Sequence, residues 1–295
     1  MIDRRRFIAT SALAGSSLAA AGQPERFQFG LMTDCQYADL PDKGRRHFRK
    51  SPKKLAEAIA EFNQHPIAFS LHLGDFIERD FSSFEDLAPI AASHKAPLHH
   101  LLGNHDFDVA PDRKPLVPAA LGLKKDYSAF TANGFRFILL DTTAMGTYRY
   151  PKNSPARKKA LRELQRLKEK KSPNAAPWNS SLDPVQLVWL EKELQVARTA
   201  KQSIIVCGHH PVVPLEAHTL WNHQILIQLF EKYRVSVYLN GHNHRGSYHH
   251  KNGTHYLNLH GMVETDRNAF SLATLRPDYL EIKGFGRQKS FELAI

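Results

Sequence analysis

The sequence predicts an α/β domain. Two observations carry this: short continuous apolar runs recur along the chain with amphipathic segments between them, and past Ser247 the pattern changes to strand–turn–strand. A continuous apolar run bounded by turn residues suits a strand buried on both faces, and apolar residues three and four apart suit a helix covering such a sheet. In chain order the predicted strands are 27–32, 67–73, 97–102, 135–140, 203–206 and 235–239. The predicted helices between them are 52–62, 155–170, 184–198 and 220–233. Ser51-Pro52 and Asp183-Pro184 are start signals. In each, an oxygen-bearing side chain can cap the free N–H groups of the first turn, and the proline that follows has no N–H to satisfy. Asn252-Gly253, between YHHK and THYLNL, has the backbone freedom of a tight hairpin turn. Residues 149–178 read as a charged helix and a loop inserted near the site rather than as a second domain.

A chain of 295 residues with 42% hydrophobic content can bury one large core, so residues 22–295 are expected to form one domain. Lys and Arg outnumber Asp and Glu by 40 to 29, giving a formal charge of +11 that favours small anionic partners. The basic runs RRHFRKSPKK and KKALRELQRLKEKK lack the aromatic interleaving of single-strand binders, so they read as a solvated face and nucleic acid is not the expected partner. Residues 1–21 differ from the rest. Arg4-Arg5-Arg6-Phe7-Ile8 resembles the twin-arginine export pattern, and the mildly apolar stretch after it closes on Ala19-Ala20-Ala21 as a small-residue cleavage site. A signal peptide over 1–21 and export to a bacterial periplasm or beyond are expected, with no membrane-spanning segment after it. The two cysteines, Cys35 and Cys207, read as small buried thiols.

Chemistry gathers where the predicted strands end, which is where open α/β sheets place their ligand sites. Five strands run into Thr33-Asp34-Cys35-Gln36, Gly74-Asp75, Gly103-Asn104-His105-Asp106, Gly208-His209-His210-Pro211 and Asn240-Gly241-His242-Asn243-His244. A glycine leads four of these five clusters, allowing the sharp turns that aim side chains at one centre. Asp34, Gln36, Asp75, Asn104, His209, His242 and His244 thus form a candidate ligand set. Oxygen and imidazole donors without thiolate pairs suit divalent Mn, Fe, Zn or Mg better than a structural zinc site. His210 is left outside the set because its side chain is expected to point away from that of His209.

The order D-x-Q, GD, GNHD, GHHP, GHNH resembles the calcineurin-like metallophosphoesterases over nearly all of residues 22–295. Gln36 stands where most members have histidine. DCQYADL, WNSSLDPVQLVWLEKEL, LWN at 220–222, GHNHRGSY and HGMVET are similar to the manganese-dependent ADP-ribose/CDP-alcohol diphosphatase branch. The resemblance implies a four-layer α-β-β-α sandwich with two mixed β-sheets flanked by helices. It also implies two metal ions, one on Asp34, Gln36, Asp75 and His244, the other on Asp75, Asn104, His209 and His242, with Asp75 shared. Such a pair clamps phosphate oxygens and activates water. A neutral Gln36 in place of histidine favours a harder ion, Mn²⁺ over Zn²⁺.

His105 is the expected general acid, with Asp106 fixing its tautomer. Arg45 and Arg46 lie close enough after Gln36 to reach a second phosphate. Asn179 and Trp221 match the branch, and the resemblance implies that they line the pocket. The leading expectation is hydrolysis of the phosphoanhydride in a nucleoside diphosphate derivative of ADP-ribose or CDP-alcohol type. An exported phosphodiesterase or phosphomonoesterase of broader specificity is the alternative within the same chemistry. A non-catalytic metal or nucleic-acid binding protein is the alternative from another class.

Overall fold

The computed structural model describes residues 27–295, so the expected signal segment lies outside the described residues. Along the chain come β1 (Phe27–Met32), α1 (Ser51–Phe62), β2 (Phe69–His72), α2 (Ser83–Ala92), β3 (Leu98–His100), α3 (Val117–Ala120), β4 (Ser128–Ala132) and β5 (Phe135–Leu139). Then follow α4 (Pro155–Glu169), α5 (Pro184–Thr199), β6 (Ser203–Cys207), α6 (His223–Lys232), β7 (Val237–Asn240) and β8 (Arg245–Lys251). The chain closes with β9 (Thr254–His260), β10 (Ala269–Arg276), β11 (Tyr279–Gly286) and β12 (Phe291–Ala294).

Period-two alternation assigns each strand face to a layer. Phe29 and Leu31 of β1, Phe137 and Leu139 of β5, and Ile205 and Cys207 of β6 share one core between the sheets. The opposite faces serve other layers: Met32 meets Leu55 and Ile59 of α1, and Ile138, Ile204 and Val206 meet Leu190 and Leu194 of α5 and Phe230 of α6. Burial on both faces is why these strands read as continuous apolar runs. The result is four layers, helix–sheet–sheet–helix. One sheet has the order β12-β11-β10-β1-β2-β3 and the other β4-β5-β6-β7-β9-β8. Both are mixed: β1, β2 and β3 are parallel with β10 antiparallel beside β1, and β5, β6, β7 and β9 are parallel with antiparallel edges β4 and β8.

Several boundaries shift by one to three residues, and two of the shifts have a local cause. The strand expected over 97–102 is only Leu98–His100, because the chain turns at once into the 101–104 loop. The helix expected from Leu220 starts at His223, because the Asn222 side chain is tied to both the N–H and the carbonyl of Leu182 and holds Trp221 and Asn222 in a turn before the helix. α2 went unforeseen, since among its residues only Ser83, Phe84 and Leu87 are buried and Pro89 interrupts the helical pattern. Cys35 and Cys207 are free and buried, as expected. Residues 149–178 supply α4, whose Ala160, Leu164 and Leu167 pack on Trp221 as a small separate cluster. No helix among the described residues is long and apolar enough to cross a membrane.

Candidate metal centre and active site

The carboxyl ends of β1, β2, β6 and β7 meet, and backbone bonds tie their loops together. Asp34 N–H donates to Gly74 O at 3.0 Å, Gln36 N–H to Asp75 O at 2.9 Å, and Gly241 N–H to His209 O at 3.0 Å. Asp34, Gln36, Asp75 and His242 all adopt positive φ, between 44° and 69°. Left-handed backbone is costly for residues other than glycine and persists where its surroundings over-determine it, as at functional sites. The glycines beside them have steric work as well. A Cβ on Gly103 would lie 2.1 Å from Asp75 N, and one on Gly241 would lie 2.0 Å from Thr33 Oγ1.

Each imidazole of the set is held by one ring nitrogen and offers the other. His209 Nδ1–H donates to Leu73 O at 2.8 Å, leaving Nε2 3.2 Å from Asp75 Oδ2. His244 Nδ1–H donates to Glu264 at 2.9 Å, leaving Nε2 3.3 Å from Asp34 Oδ1. His242 Nε2–H donates to Asn179 Oδ1 at 3.0 Å, leaving Nδ1. Asp34 Oδ2 accepts from Thr33 and from the His242 N–H, and Gln36 Nε2 donates to Asp75 Oδ2 at 3.0 Å. What remains is a group of buried polar atoms with no hydrogen-bond partner among the described residues: Asp34 Oδ1, Gln36 Oε1, both amide atoms of Asn104, and His209 Nε2. Asp75, His209 and His242 offer atoms within 4.8 Å of one another. Buried donors are rarely left unpaired, and this set of oxygens and imidazoles suits divalent cations. Gln36 presents its oxygen and not its nitrogen, which makes it a hard ligand.

Without a metal, the electrostatics are those of acid–imidazole pairs. Burial opposes ionisation of Asp34 and Asp75, but their histidine neighbours outweigh it and hold both carboxylates below the usual range. Burial likewise lowers His209 and His244, yet Asp75 and Asp34 raise each to about 9. His242 is pushed down by burial and, after it, by the neighbouring imidazoles of His210 and His209.

The partner expected for His105 is corrected by the structure. Asp106 accepts from the backbone N–H groups of Asp75, Phe76, Ile77 and Gly103, at 2.7–3.1 Å, so it ties the GD loop to the GNHD loop. The Nδ1 of His105 instead lies 2.7 Å from Oε2 of buried Glu78. Burial alone would lower the His105 pKa; Asp75 and Glu78 overcome it and raise the value.

A cavity of about 310 Å³ opens over the centre, lined by Gln36, Asp75, His105, His242 and His244 together with Arg46, Lys43, Arg79, Tyr148, Trp178 and His218. Of the four residues expected to touch substrate, only Arg46 lines it. Arg45 is largely exposed, pairs with Glu264 at 3.1 Å and belongs to a neighbouring cavity. Trp221 is 5% exposed and packs on α4, so it is a core residue. Asn179 is buried, with Oδ1 on His242 and Nδ2 donating to the carbonyls of Asn174 and Ala217; its groups are spent on positioning His242. His210 is buried and bridges Thr142 Oγ1 and Trp178 O, outside the ligand set.

The pattern of the calcineurin-like phosphoesterase family matches residues 28–246. The chain belongs to the calcineurin-like phosphoesterase family. It is therefore a metal-dependent hydrolase of phosphoryl compounds. It is 30% identical over 290 residues to the manganese-dependent ADP-ribose/CDP-alcohol diphosphatase of Arabidopsis thaliana, covering 86% of this chain and 91% of the relative. It is 28% identical over 310 residues to the protein of the same name from Homo sapiens, covering 88% and 90%. A dimetal phosphatase from Danio rerio has the same fold, with a TM-score of 0.79 at 23% identity over 91% of this chain and 98% of that one.

Within this calcineurin-like phosphoesterase fold, sequence reasoning missed Glu78, Glu264, Tyr148, Trp178 and His218. Glu78 carried a faint signal, an acidic residue three places after Asp75 in GDFIER. Trp178 reaches the cavity from the 149–178 segment, which fits its expected place near the site, but nothing in its local sequence marks it out.

Proposed function

We propose that the protein hydrolyses the phosphoanhydride bond of nucleoside diphosphate derivatives of ADP-ribose or CDP-alcohol type, using two divalent ions with Mn²⁺ preferred. Asp34, Gln36 and His244 would hold one ion, and Asn104, His209 and His242 the other, with Asp75 between them. The observation that supports this most is the group of buried, unpartnered donor atoms gathered around Asp75 beneath a cavity that also presents Arg46 and Lys43. Bound divalent ions supply Lewis acidity and a water of lowered pKa. The Gln36 oxygen is the reason for preferring a hard ion, and the manganese dependence of the named relatives agrees with it.

The chain's own groups supply the rest. Arg46 faces the cavity with a guanidinium suited to phosphate oxygens. His105, whose pKa Asp75 and Glu78 raise against burial, faces the same space and can give a proton to a leaving oxygen. Leu73 O, Glu264 and Asn179 fix the three ligand imidazoles, so each presents the same nitrogen throughout turnover.

The test is turnover of ADP-ribose, CDP-choline, a nitrophenyl diester and a nitrophenyl monoester with Mn²⁺, Mg²⁺ or Zn²⁺. Fastest cleavage of the first two with Mn²⁺ is expected. Strong diester turnover with inert ADP-ribose would sink the diphosphatase reading and leave a broader phosphodiesterase. No turnover of any substrate would leave a binding protein. Export by the twin-arginine route belongs to the same reading and rests on residues 1–21 alone; its test is whether changing Arg4, Arg5 and Arg6 to Lys keeps the protein in the cytoplasm.

A further inference from the structure

Beside the catalytic cavity lies a second cavity of about 610 Å³, and the two share Lys43, Arg46, His218, His242 and His244. Five cationic side chains line the second one, Lys43, Arg45, Arg46, Arg245 and Arg287, against the single carboxylate of Glu264. Glu264 is already committed, accepting from His244 Nδ1 and from Arg45 Nε. Lys43, Arg46, Arg245 and Arg287 have no acidic partner within salt-bridge distance among the described residues.

The backbone beneath this annex and the Arg287 guanidinium are held in place, while Lys43, Arg45 and Arg245 stand exposed at its rim. The 43–46 turn closes on itself through Lys43 N–H to Arg46 O and Arg46 N–H to Lys43 O, both 3.0 Å, around Gly44 at positive φ. The Arg46 backbone then pairs with the backbone of Glu264 in an antiparallel bridge. The floor beneath is set by Lys54, a buried ammonium that donates to the carbonyls of Met262, Glu264 and Thr265 at 2.8, 3.3 and 2.6 Å. Arg287 is pinned from behind, with Nε donating to Arg267 O at 3.1 Å and Nη2 to Gly261 O. Burial pushes the Arg287 pKa down, and Arg45 and Arg267 add to that against the pull of Glu264. Like charges fixed close together without counter-charge favour an anion, and arginine forks suit the oxygens of a phosphoryl group.

We propose that this annex binds a further phosphoryl group of the substrate, one beyond the scissile diphosphate. The preferred substrates are then nucleoside diphosphate derivatives that carry an additional phosphate on the ribose. The inference rests on the diphosphatase reading above, because the shared residues make the annex an extension of that site. A phosphate monoester carries close to two charges at neutral pH, enough to offset Arg245 and Arg287, the two cations without an acidic partner that line the annex and not the catalytic cavity.

Two substrate pairs test it with Mn²⁺-loaded enzyme: ADP-ribose against ADP-ribose 2′-phosphate, and dephospho-coenzyme A against coenzyme A, which bears a 3′-phosphate. We expect kcat/KM to be at least about 10-fold higher for the phosphorylated member of one pair or both, expressed mainly in KM. In Arg245→Gln and Arg287→Gln that ratio should fall toward 1. Because the ratio is taken within one protein, any general loss of folding or activity cancels. A wild-type ratio near 1 in both pairs, with ADP-ribose turned over, overturns the annex and leaves the diphosphatase reading standing. A ratio that survives both substitutions also overturns it. Failure to cleave any of the four while CDP-choline is cleaved overturns the annex alone, and failure on CDP-choline as well overturns both readings together.

Discussion

Glu78→Gln is the most informative single change. In the structure Glu78 is 3% exposed and its Oε2 lies 2.7 Å from His105 Nδ1. Asp75 and Glu78 together raise the His105 pKa against burial. Once divalent ions neutralise Asp75, Glu78 is the main charge left to hold the proton on His105. An opposite charge this close is worth about 1–3 pKa units, and glutamine keeps the shape while removing the charge. A general acid works in its protonated form, so activity that depends on His105 persists below its pKa and is lost as pH rises through it. Removing Glu78's charge lowers that pKa, so the basic limb of the kcat–pH profile should move toward acid. The effect on rate should be largest for a diester with an alkoxide leaving group, which needs the proton most. The assay is the kcat–pH profile of both proteins on such a diester and on ADP-ribose, with the His105 ring titrated by NMR in Mg²⁺-loaded protein. An unmoved basic limb and an unmoved ring titration would refute the pairing of Glu78 with His105 as the source of the acid.

Three further outcomes follow from the same geometry. Asp75→Ala should lose metal and activity together, whereas His105→Ala should keep its metal content and lose rate; an empty site in His105→Ala would show that the ligand and the acid had been divided wrongly. In the metal-free protein His209 and His244 hold protons up to about 9, because Asp75 and Asp34 outweigh burial. A ligating imidazole must give up that proton, so Mn²⁺ affinity should rise from pH 6 to 9 and calorimetry in buffers of different ionisation enthalpy should report release of about two protons; buffer-independent heats would contradict this. Trp221→Ala should cost about 3–5 kcal/mol of stability through the cavity left against α4, with KM unchanged, and a raised KM at unchanged melting temperature would return Trp221 to the pocket.

The parts of the site that follow a strand were legible in the sequence because turning sharply out of a buried strand demands glycine, and a polar cluster after an apolar run is visible as a change of pattern. Gly103 and Gly241 illustrate this, since any Cβ there would collide with Asp75 or Thr33. Groups that act across long sequence separations left no such mark. Glu264 reaches His244, and Asn179 reaches His242, only once the loops that follow or precede separate elements have been brought together. Asp106 was read as the partner of His105 because they are adjacent, yet adjacency in a loop says little about direction, and its carboxylate serves four backbone N–H groups instead. Trp221 shows the opposite case: its match to the diphosphatase branch suggests a pocket residue, whereas its size makes it the plug between α4 and the body of the domain. The layers of the fold were easier, because burial on both faces made β1, β5 and β6 continuous apolar runs.

Hydrolysis of ADP-ribose in ¹⁸O-labelled water with Mn²⁺, followed by ³¹P NMR, tests the central claim most directly. Attack of water on one phosphorus of the anhydride predicts AMP and ribose 5-phosphate in equal amounts, with a single ¹⁸O in one of the two and none in the other. Release of inorganic phosphate, cleavage without ¹⁸O incorporation at phosphorus, or an intact diphosphate would contradict it.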